Sequence, residues 1–432
     1  MNAPVPIISS CRGRADKNGI APWVEVQLSR SQTSNRGLWR NLHRWLGLFI
    51  GCWFALVGLS GSLLVFEDEI DAYLNPQLLT DSRSGAPLPP HAMLARVAED
   101  FPLARVERIR PPRASNNGGE VYRLTLRIAP HLRTGSPRAE VMYSAVSGEL
   151  LGQREADVIG LTRPYWMRTL YEFHRNVLLG NFGSNIVGLA GFLLMSSALS
   201  GFVIAWPRKR SGWRRLIGIK LRTGLTRILF DMHRSSGVIL FVLLMLATVT
   251  GSTLVYVNYA RDIVSVFSDV APFPTVPWRE TPLENWPPFE RVVSGLRRTY
   301  PGHDMMEIHI PSKPTAGYLF YLKQTGDVHR LGDTIVWVHP GSGEILFERS
   351  ARNRTSGESV MHWLFPLHSG TAFGIMGKIA MCVTGLAMLL MFPTGLWVWL
   401  RKRRAADFET ARRRRSHLRS HASSSGTGGV IQ

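Results

Sequence analysis

Cysteine is scarce in this chain of 432 residues: Cys11, Cys52 and Cys382 are its three copies. They make no CxxC pattern and too few pairs for a disulfide framework, and two of them fall inside apolar runs, where a small buried hydrophobe is the ordinary role. No GxGxxG follows a strand-like run and no Walker A sequence occurs, so any nucleotide chemistry belongs to a partner. His303, His309, His329 and His339 are scattered without ligand spacing or a nearby cysteine pattern, so neither a zinc site nor a nucleophile site is expected. Charge is missing where its absence says most. Residues 45–66, 184–206, 236–257 and 375–399 contain one charged side chain, Lys378, three residues into the last run, where it can snorkel to the interface. Each run exceeds the roughly 20 residues that cross a bilayer, so four transmembrane helices are expected.

What charge there is lies in three short segments. Residues 1–44, 207–235 and 400–432 together hold 25 Lys and Arg against five acids, which is the whole net charge of +20. The remaining 26 bases and 26 acids cancel. Short segments rich in Lys and Arg stay on the cytoplasmic side. The expected plan is therefore a basic cytoplasmic tail (1–44), a basic cytoplasmic loop (207–235) and a basic cytoplasmic tail (400–432). Outer domains at 67–183 and 258–374, each of 117 residues, separate the spans. The basic surplus is then a topology signal, and nucleic acid is not an expected partner. The lipid membrane is, with the arginine run at 412–415 placed against anionic lipid. The first apolar run starts at Trp45 and lacks a cleavage site, so no signal peptide is expected.

The halves repeat. HRWLG at His43 and HRSSG at His233 each open an apolar run, and the glycines of SGSLLVF and TGSTLVY, Gly61 and Gly251, both follow 18 residues later. His174, Gly183 and Gly201 each precede their counterparts His368, Gly377 and Gly395 by 194 residues. Both exit runs close on tryptophan and a basic cluster, SGFVIAWPRKR and TGLWVWLRKR, with Trp206, Trp397 and Trp399 placed as an interfacial belt. Within each outer domain a helical stretch (91–101; 289–300) precedes strand-like runs at 106–110, 121–128 and 141–146, and at 306–310, 318–323 and 334–338. Each domain then reaches a Ser-Gly-Glu turn. The fold class expected is an α+β membrane protein: four transmembrane helices in two parallel repeats, each repeat carrying a small α+β outer domain.

Four histidines occupy matched places: His43 and His233 at the cytoplasmic mouths, His174 and His368 on the outer side. Across a pseudo-twofold axis each pair is opposed, and two opposed imidazoles can give a haem iron its two axial bonds. A histidine beside an arginine at a membrane mouth can also be one more interfacial cation. His362, six residues from His368, competes with it as a ligand. Arg44, Arg175 and Arg234 adjoin the candidates and can pair with haem propionates; for Arg44 and Arg234 the alternative is positive-inside charge. Glycines along the spans (Gly47, Gly51, Gly58, Gly61, Gly188, Gly191, Gly370, Gly374) can let a flat porphyrin approach backbone, or can pack helix on helix.

These motifs resemble a known family. LHRWLG with SGSLLVFEDEID, FHRNVLLGNFG, DMHRSSG with TGSTLVY, PLHSG with FGIMGK, and the two SGE turns are similar in order and spacing to the PepSY-associated transmembrane proteins, over roughly residues 38–404. That family includes bacterial iron-regulated inner-membrane proteins and ferrisiderophore reductases. The resemblance implies PepSY-like outer domains in the periplasm and a haem-dependent reductase of ferric, siderophore-bound iron. With the paired histidines it leads to an inner-membrane protein holding two haem b groups, supplied by a cytoplasmic reductant or quinol. Where the family's small domain often has an Asp before its Gly-Glu turn, this chain has Ser144 and His339. Two alternatives stand: a non-redox component that transports the iron complex, against which the uncharged spans argue, and a membrane-anchored signalling or peptidase-regulating protein, which leaves the four histidines without a reason.

Overall fold

A computed structural model describes residues 35–112, 121–128, 136–207, 212–270, 288–311 and 317–425. Cys11, most of the first basic tail and residues 208–211 of the middle loop lie outside the described residues. The chain begins with α1 (Asn35–Leu64), α2 (Glu67–Leu74), α3 (Pro76–Leu79) and α4 (Pro90–Asp100). Strands β1 (Ala104–Arg110), β2 (Val121–Ile128), β3 (Arg138–Ser144) and β4 (Leu150–Glu155) follow, then α5 (Arg163–Asn176) and α6 (Gly180–Ala205). The second half runs α7 (Trp213–Ile217), α8 (Leu225–Ile239), α9 (Phe241–Val255), α10 (Val257–Ser265) and α11 (Phe289–Thr299). It ends with β5 (Asp304–His309), β6 (Tyr318–Lys323), β7 (Thr334–Val338), β8 (Ile345–Arg349), α12 (Ser356–Ser369) and α13 (Gly374–Ser425). This is a mixed helix and sheet membrane protein.

Helices α1, α6 and α13 are long and apolar enough to cross a membrane; α8 and α9 qualify together but are bent by 62°. The uninterrupted third span expected at 236–257 is therefore broken at Leu240. The break comes one turn after Ser235-Ser236-Gly237, and runs of Ser and Gly are where helices bend sharply. By itself α9 is about 22 Å long at 1.5 Å per residue, short of the roughly 30 Å hydrocarbon layer. At the other end α13 does not stop near 399 but continues as helix to Ser425. The arginines at 412–415 are exposed on that continuation, about 20 Å along the helix beyond Trp399.

All eight strands form one antiparallel sheet in the order β4-β3-β2-β1-β5-β6-β7-β8. Two four-stranded halves meet edge to edge through β1 and β5, with Arg108 opposite His309 and Ile109 opposite Ile308. Alternation decides which face is apolar. In β2, Tyr122, Leu124 and Leu126 point one way and are buried, while Arg123, Thr125 and Arg127 point the other. The apolar face lies under α4 and α11, whose Met93, Val97, Val292, Val293 and Leu296 complete a single core that crosses the joint at Ile109 and Ile308. The opposite face is ionic: Arg154 forks onto Asp71 at 2.9 and 2.8 Å and also reaches Glu140, 2.7 Å away.

Both halves return to the membrane through the same tight turn. A Cβ at Gly183 would sit 1.8 Å from the Asn176 carbonyl oxygen, and one at Gly377 would sit 2.1 Å from that of Gly370. No other residue type fits those two places, which explains their spacing of 194. Lys378 lies at the head of α13, its ammonium 2.7 Å from Glu69 and over the Phe66 ring.

Candidate functional site

Helices α5 and α12 are short and lie between the sheet and the membrane helices. They carry His174 and His368, each in its last turn. The second of them is capped at its start by a reciprocal Thr355–Glu358 box and ends on Gly370 in the left-handed region, φ 78°. His43 lies well inside α1 and His233 well inside α8. The rings of His43 and His233 are 6.0 Å apart between centroids, and those of His174 and His368 are 6.1 Å apart.

Each imidazole enters a socket on a neighbouring helix, and the four sockets share one construction. His43 Nδ1 lies 2.9 Å from the Ser197 carbonyl oxygen on α6, and His233 Nδ1 lies 2.9 Å from that of Met391 on α13. His174 Nδ1 reaches the Val57 carbonyl of α1 at 3.0 Å, and His368 Nδ1 the Ala247 carbonyl of α9 at 3.1 Å. A carbonyl oxygen only accepts, so Nδ1 holds the proton and Nε2 keeps its lone pair. Four residues beyond each carbonyl stands a glycine, Gly201, Gly395, Gly61 and Gly251, where a Cβ would meet the imidazole Cε1 at 2.8 to 3.0 Å. Any side chain there would expel the ring.

Two opposed imidazoles with free Nε2 lone pairs are a donor set that can hold a metal from both sides. Nδ1–H tied to backbone orients a ligating histidine and strengthens it as a donor. Two imidazole–metal bonds of about 2 Å, plus the ring radii, bring centroids to about 6 Å, as found in both pairs. Gly61, against His174, lies 18 residues from His43 on α1, about 27 Å along the axis. The pairs thus stand far apart along the bundle, by a distance close to the roughly 30 Å of a hydrocarbon layer, one beside the sheet and one at the opposite end.

His362 does not join its competitor. Its Nε2 donates to Asp333, 2.8 Å away, and its ring lies 5.3 Å from that of His329. Burial would raise the Asp333 carboxyl, but the His362 hydrogen bond and the Arg354 charge outweigh it and hold it near 2. His329, by contrast, is pushed down to about 4, chiefly by burial. Among the arginines, Arg234 is engaged by Asp231 at 3.1 Å and by the Leu216 and Gly218 carbonyls. Arg44 is exposed, bonds Asn41 and lies over the Trp45 ring; Arg175 is exposed beside His174. Of the span glycines, Gly51, Gly58, Gly188 and Gly191 press on Phe392, Gly385, Tyr256 and Ser252, which is helix packing, and Gly370 presses on Gly377. Gly61 belongs to a socket, whereas a Cβ at Gly47 or Gly374 meets nothing within 4 Å.

The socket carbonyls and the hydroxyl residues beside the glycines were not singled out by sequence. The signal was there: a Ser-Gly or Thr-Gly dipeptide in each of four helices, at 60, 200, 250 and 394.

The family described as the PepSY-associated TM region matches residues 40–402. The chain belongs to that family. A comparison with curated proteins gives no match. At the two places before the Ser-Gly-Glu turns where the resemblance implies an Asp, this PepSY-associated TM protein has Ser144 and His339. Ser144 Oγ accepts from the Ser147 amide at 3.0 Å, and His339 Nδ1 accepts from the Gly341 and Ser342 amides at 2.9 Å each. Each supplies the acceptor that closes its Ser-Gly-Glu turn, and the Ser144 hydroxyl donates in turn to Asp81.

Proposed function

We propose that this protein of the bacterial inner membrane holds one haem b between His43 and His233 and another between His174 and His368. It passes electrons outward to reduce ferric, siderophore-bound iron in the periplasm. In this reading both termini and the middle loop are cytoplasmic, as the positive charge of those segments indicates, and the sheet is periplasmic. The observation that carries the proposal is the pair of imidazole pairs, each about 6 Å between centroids and each with Nδ1 tied to a helix carbonyl. Bound there, haem supplies two one-electron stations, one near each face. The protein's own part is to fix the four rings, exclude charge from the spans and present the iron complex.

For presentation the sheet side offers two neighbouring cavities of about 190 and 460 Å³, both lined by Met306 and Arg330. The larger opens on Gly374 and Lys378 at the head of α13. An iron complex held there lies above the sheet-side pair. Reduction weakens a chelate of hard oxygens because ferrous iron binds such ligands less tightly. The donor on the other side is a cytoplasmic reductant or a membrane quinol.

The test is the absorption spectrum of detergent-purified protein from haem-replete cells. A dithionite-reduced spectrum with sharp b-type α and Soret bands is expected, and a colourless preparation overturns the reading. His43→Ala or His233→Ala removes one half of the haem, and His174→Ala or His368→Ala the other half. His362→Ala retains both.

A further inference from the structure

The four sockets share their carbonyl and glycine but differ in the hydroxyl between them. Ser60 Oγ donates to the Val57 carbonyl at 2.8 Å, Thr250 Oγ1 to the Leu246 carbonyl at 2.6 Å, and Thr394 Oγ1 to the Leu390 and Met391 carbonyls at 2.9 Å each. The hydroxyl hydrogen is thereby spent on backbone, and the same oxygen turns its lone pairs to the histidine. Ser60 Oγ lies 3.2 Å from His174 Nδ1, Thr250 Oγ1 lies 3.1 Å from His368 Nδ1, and Thr394 Oγ1 lies 3.3 Å from His233 Nδ1. In these three sockets the Nδ1–H is shared between a carbonyl and a hydroxyl oxygen. The fourth is different. Ser200 bonds the Ser197 carbonyl at 2.8 Å, and the hydroxyl near His43 Nδ1 is that of Ser197, at 3.5 Å.

We propose that Ser60, Thr250 and Thr394 are positioning residues that act as second acceptors for their histidines, and that Ser200 is not. This rests on the haem reading above. Each added acceptor pulls the Nδ1 proton outward and leaves more electron density on Nε2, which stabilises the ferric over the ferrous state of a bound iron. The sheet-side pair has the second acceptor on both rings at 3.1 and 3.2 Å; the tail-side pair has it on His233 at 3.3 Å, while His43 has only the longer 3.5 Å approach of Ser197. The two stations are therefore tuned unequally by hydroxyls whose backbone settings are otherwise alike.

The test is spectroelectrochemical titration of the full-length protein, with low-temperature EPR of its ferric state. Thr250→Val keeps the shape of the side chain and removes the hydroxyl. One hydrogen bond is worth a factor of about three to ten, so the sheet-side midpoint shifts positive by up to about 59 mV, the tenfold value for one electron. Ser60→Ala does the same, Ser60→Thr restores the original value, and Ser200→Ala leaves both midpoints and both EPR signals in place. If Ser60→Ala does not yield folded protein, Thr250→Val and Thr250→Ser decide the matter between them. The inference is overturned if Thr250→Val carries full haem with unchanged midpoints and EPR, or if Ser200→Ala shifts the tail-side midpoint as much as Thr250→Val shifts the other. A colourless wild type overturns the haem reading and takes this inference with it. A haem-loaded wild type with unresponsive Thr250→Val sinks this inference alone.

Discussion

The bundle and the sheet bury polar groups by opposite means. In α1, α6, α9 and α13 the buried polar side chains among the described residues are Ser60, Ser62, Ser197, Ser200, Thr248, Thr250, Ser252, Thr384 and Thr394, all neutral hydroxyls. Most of them donate to a carbonyl of their own helix, and Ser252 donates to the Gly188 carbonyl of α6. On the ionic face of the sheet the buried groups are charged: Asp71, Glu140 and Arg154 interlock, with Arg123 alongside. Lipid offers no water to relax a half-made contact, so an ion there is costly, whereas a sheet standing in water can assemble ions whose partners share the desolvation. The exception is Asp231, fully buried in α8 and clasped by Arg227 and Arg234. It sits where the bundle meets the basic loop. The neutral sockets should therefore fail by steric exclusion, and the ionic face by leaving a charge alone.

The largest effect should come from the sockets. Gly201→Leu places a side chain where the His43 ring lies, and is expected to abolish the tail-side centre while the sheet-side centre survives. The haem-to-protein ratio should fall by half, while Gly47→Ala, where a Cβ meets nothing within 4 Å, changes nothing. A Gly201→Leu protein with full haem content would mean the close approach is not needed. Next is Arg154→Ala, which leaves Asp71 and Glu140 to share Arg123. Breaking a buried pair from one side costs about 3–5 kcal/mol, seen as a lowered thermal midpoint with both haem signals intact while folded. An unchanged midpoint would show that water reaches this face.

Acid should probe the joint between the sheet halves. Burial would raise the Glu307 carboxyl, but His309 and the Arg110 and Arg108 charges hold it down near 2. A depressed carboxylate contributes stability that is complete above its unfolded value of about 4.3 and lost as pH falls toward 2. Glu307→Gln should flatten the thermal midpoint over that window and lower it at neutral pH. A wild type whose midpoint does not fall between pH 5 and 3 would contradict this. The smallest effect should be Lys378→Met. Its partner Glu69 is largely exposed, and such pairs contribute about 1 kcal/mol or less, so the midpoint should hardly move; a large drop would make the pair a true anchor of α13.

Much of this architecture could be read along the chain. The intervals of 18 and 194 residues pair His43 with His233 and His174 with His368 along the chain, because each histidine keeps its distance to the glycine that seats a histidine of the other pair: Gly61 and Gly251 seat His174 and His368, Gly201 and Gly395 seat His43 and His233. Period-two alternation located β2, β6 and β7 to the residue, since one face of each is apolar. Three features were not legible. The break at Leu240 follows a Ser-Ser-Gly run that also occurs in straight helices. The β1–β5 joint aligns two residue pairs, and an exposed strand edge has no signature of its own. The arginines at 412–415 read as part of a separate basic tail, and only the continuity of α13 makes them part of the last helix.

The sequence by itself determined what the segments are: apolar runs that must cross, alternating runs that must pleat, and histidines at matched places beside the spans. Local periodicity and the cost of charge in lipid decide those things, and both act over a few turns of chain. The tertiary structure alone decided which carbonyl meets which imidazole. Those partners lie 117 to 158 residues apart, and a backbone carbonyl looks the same at every position until a neighbouring helix brings a histidine to it.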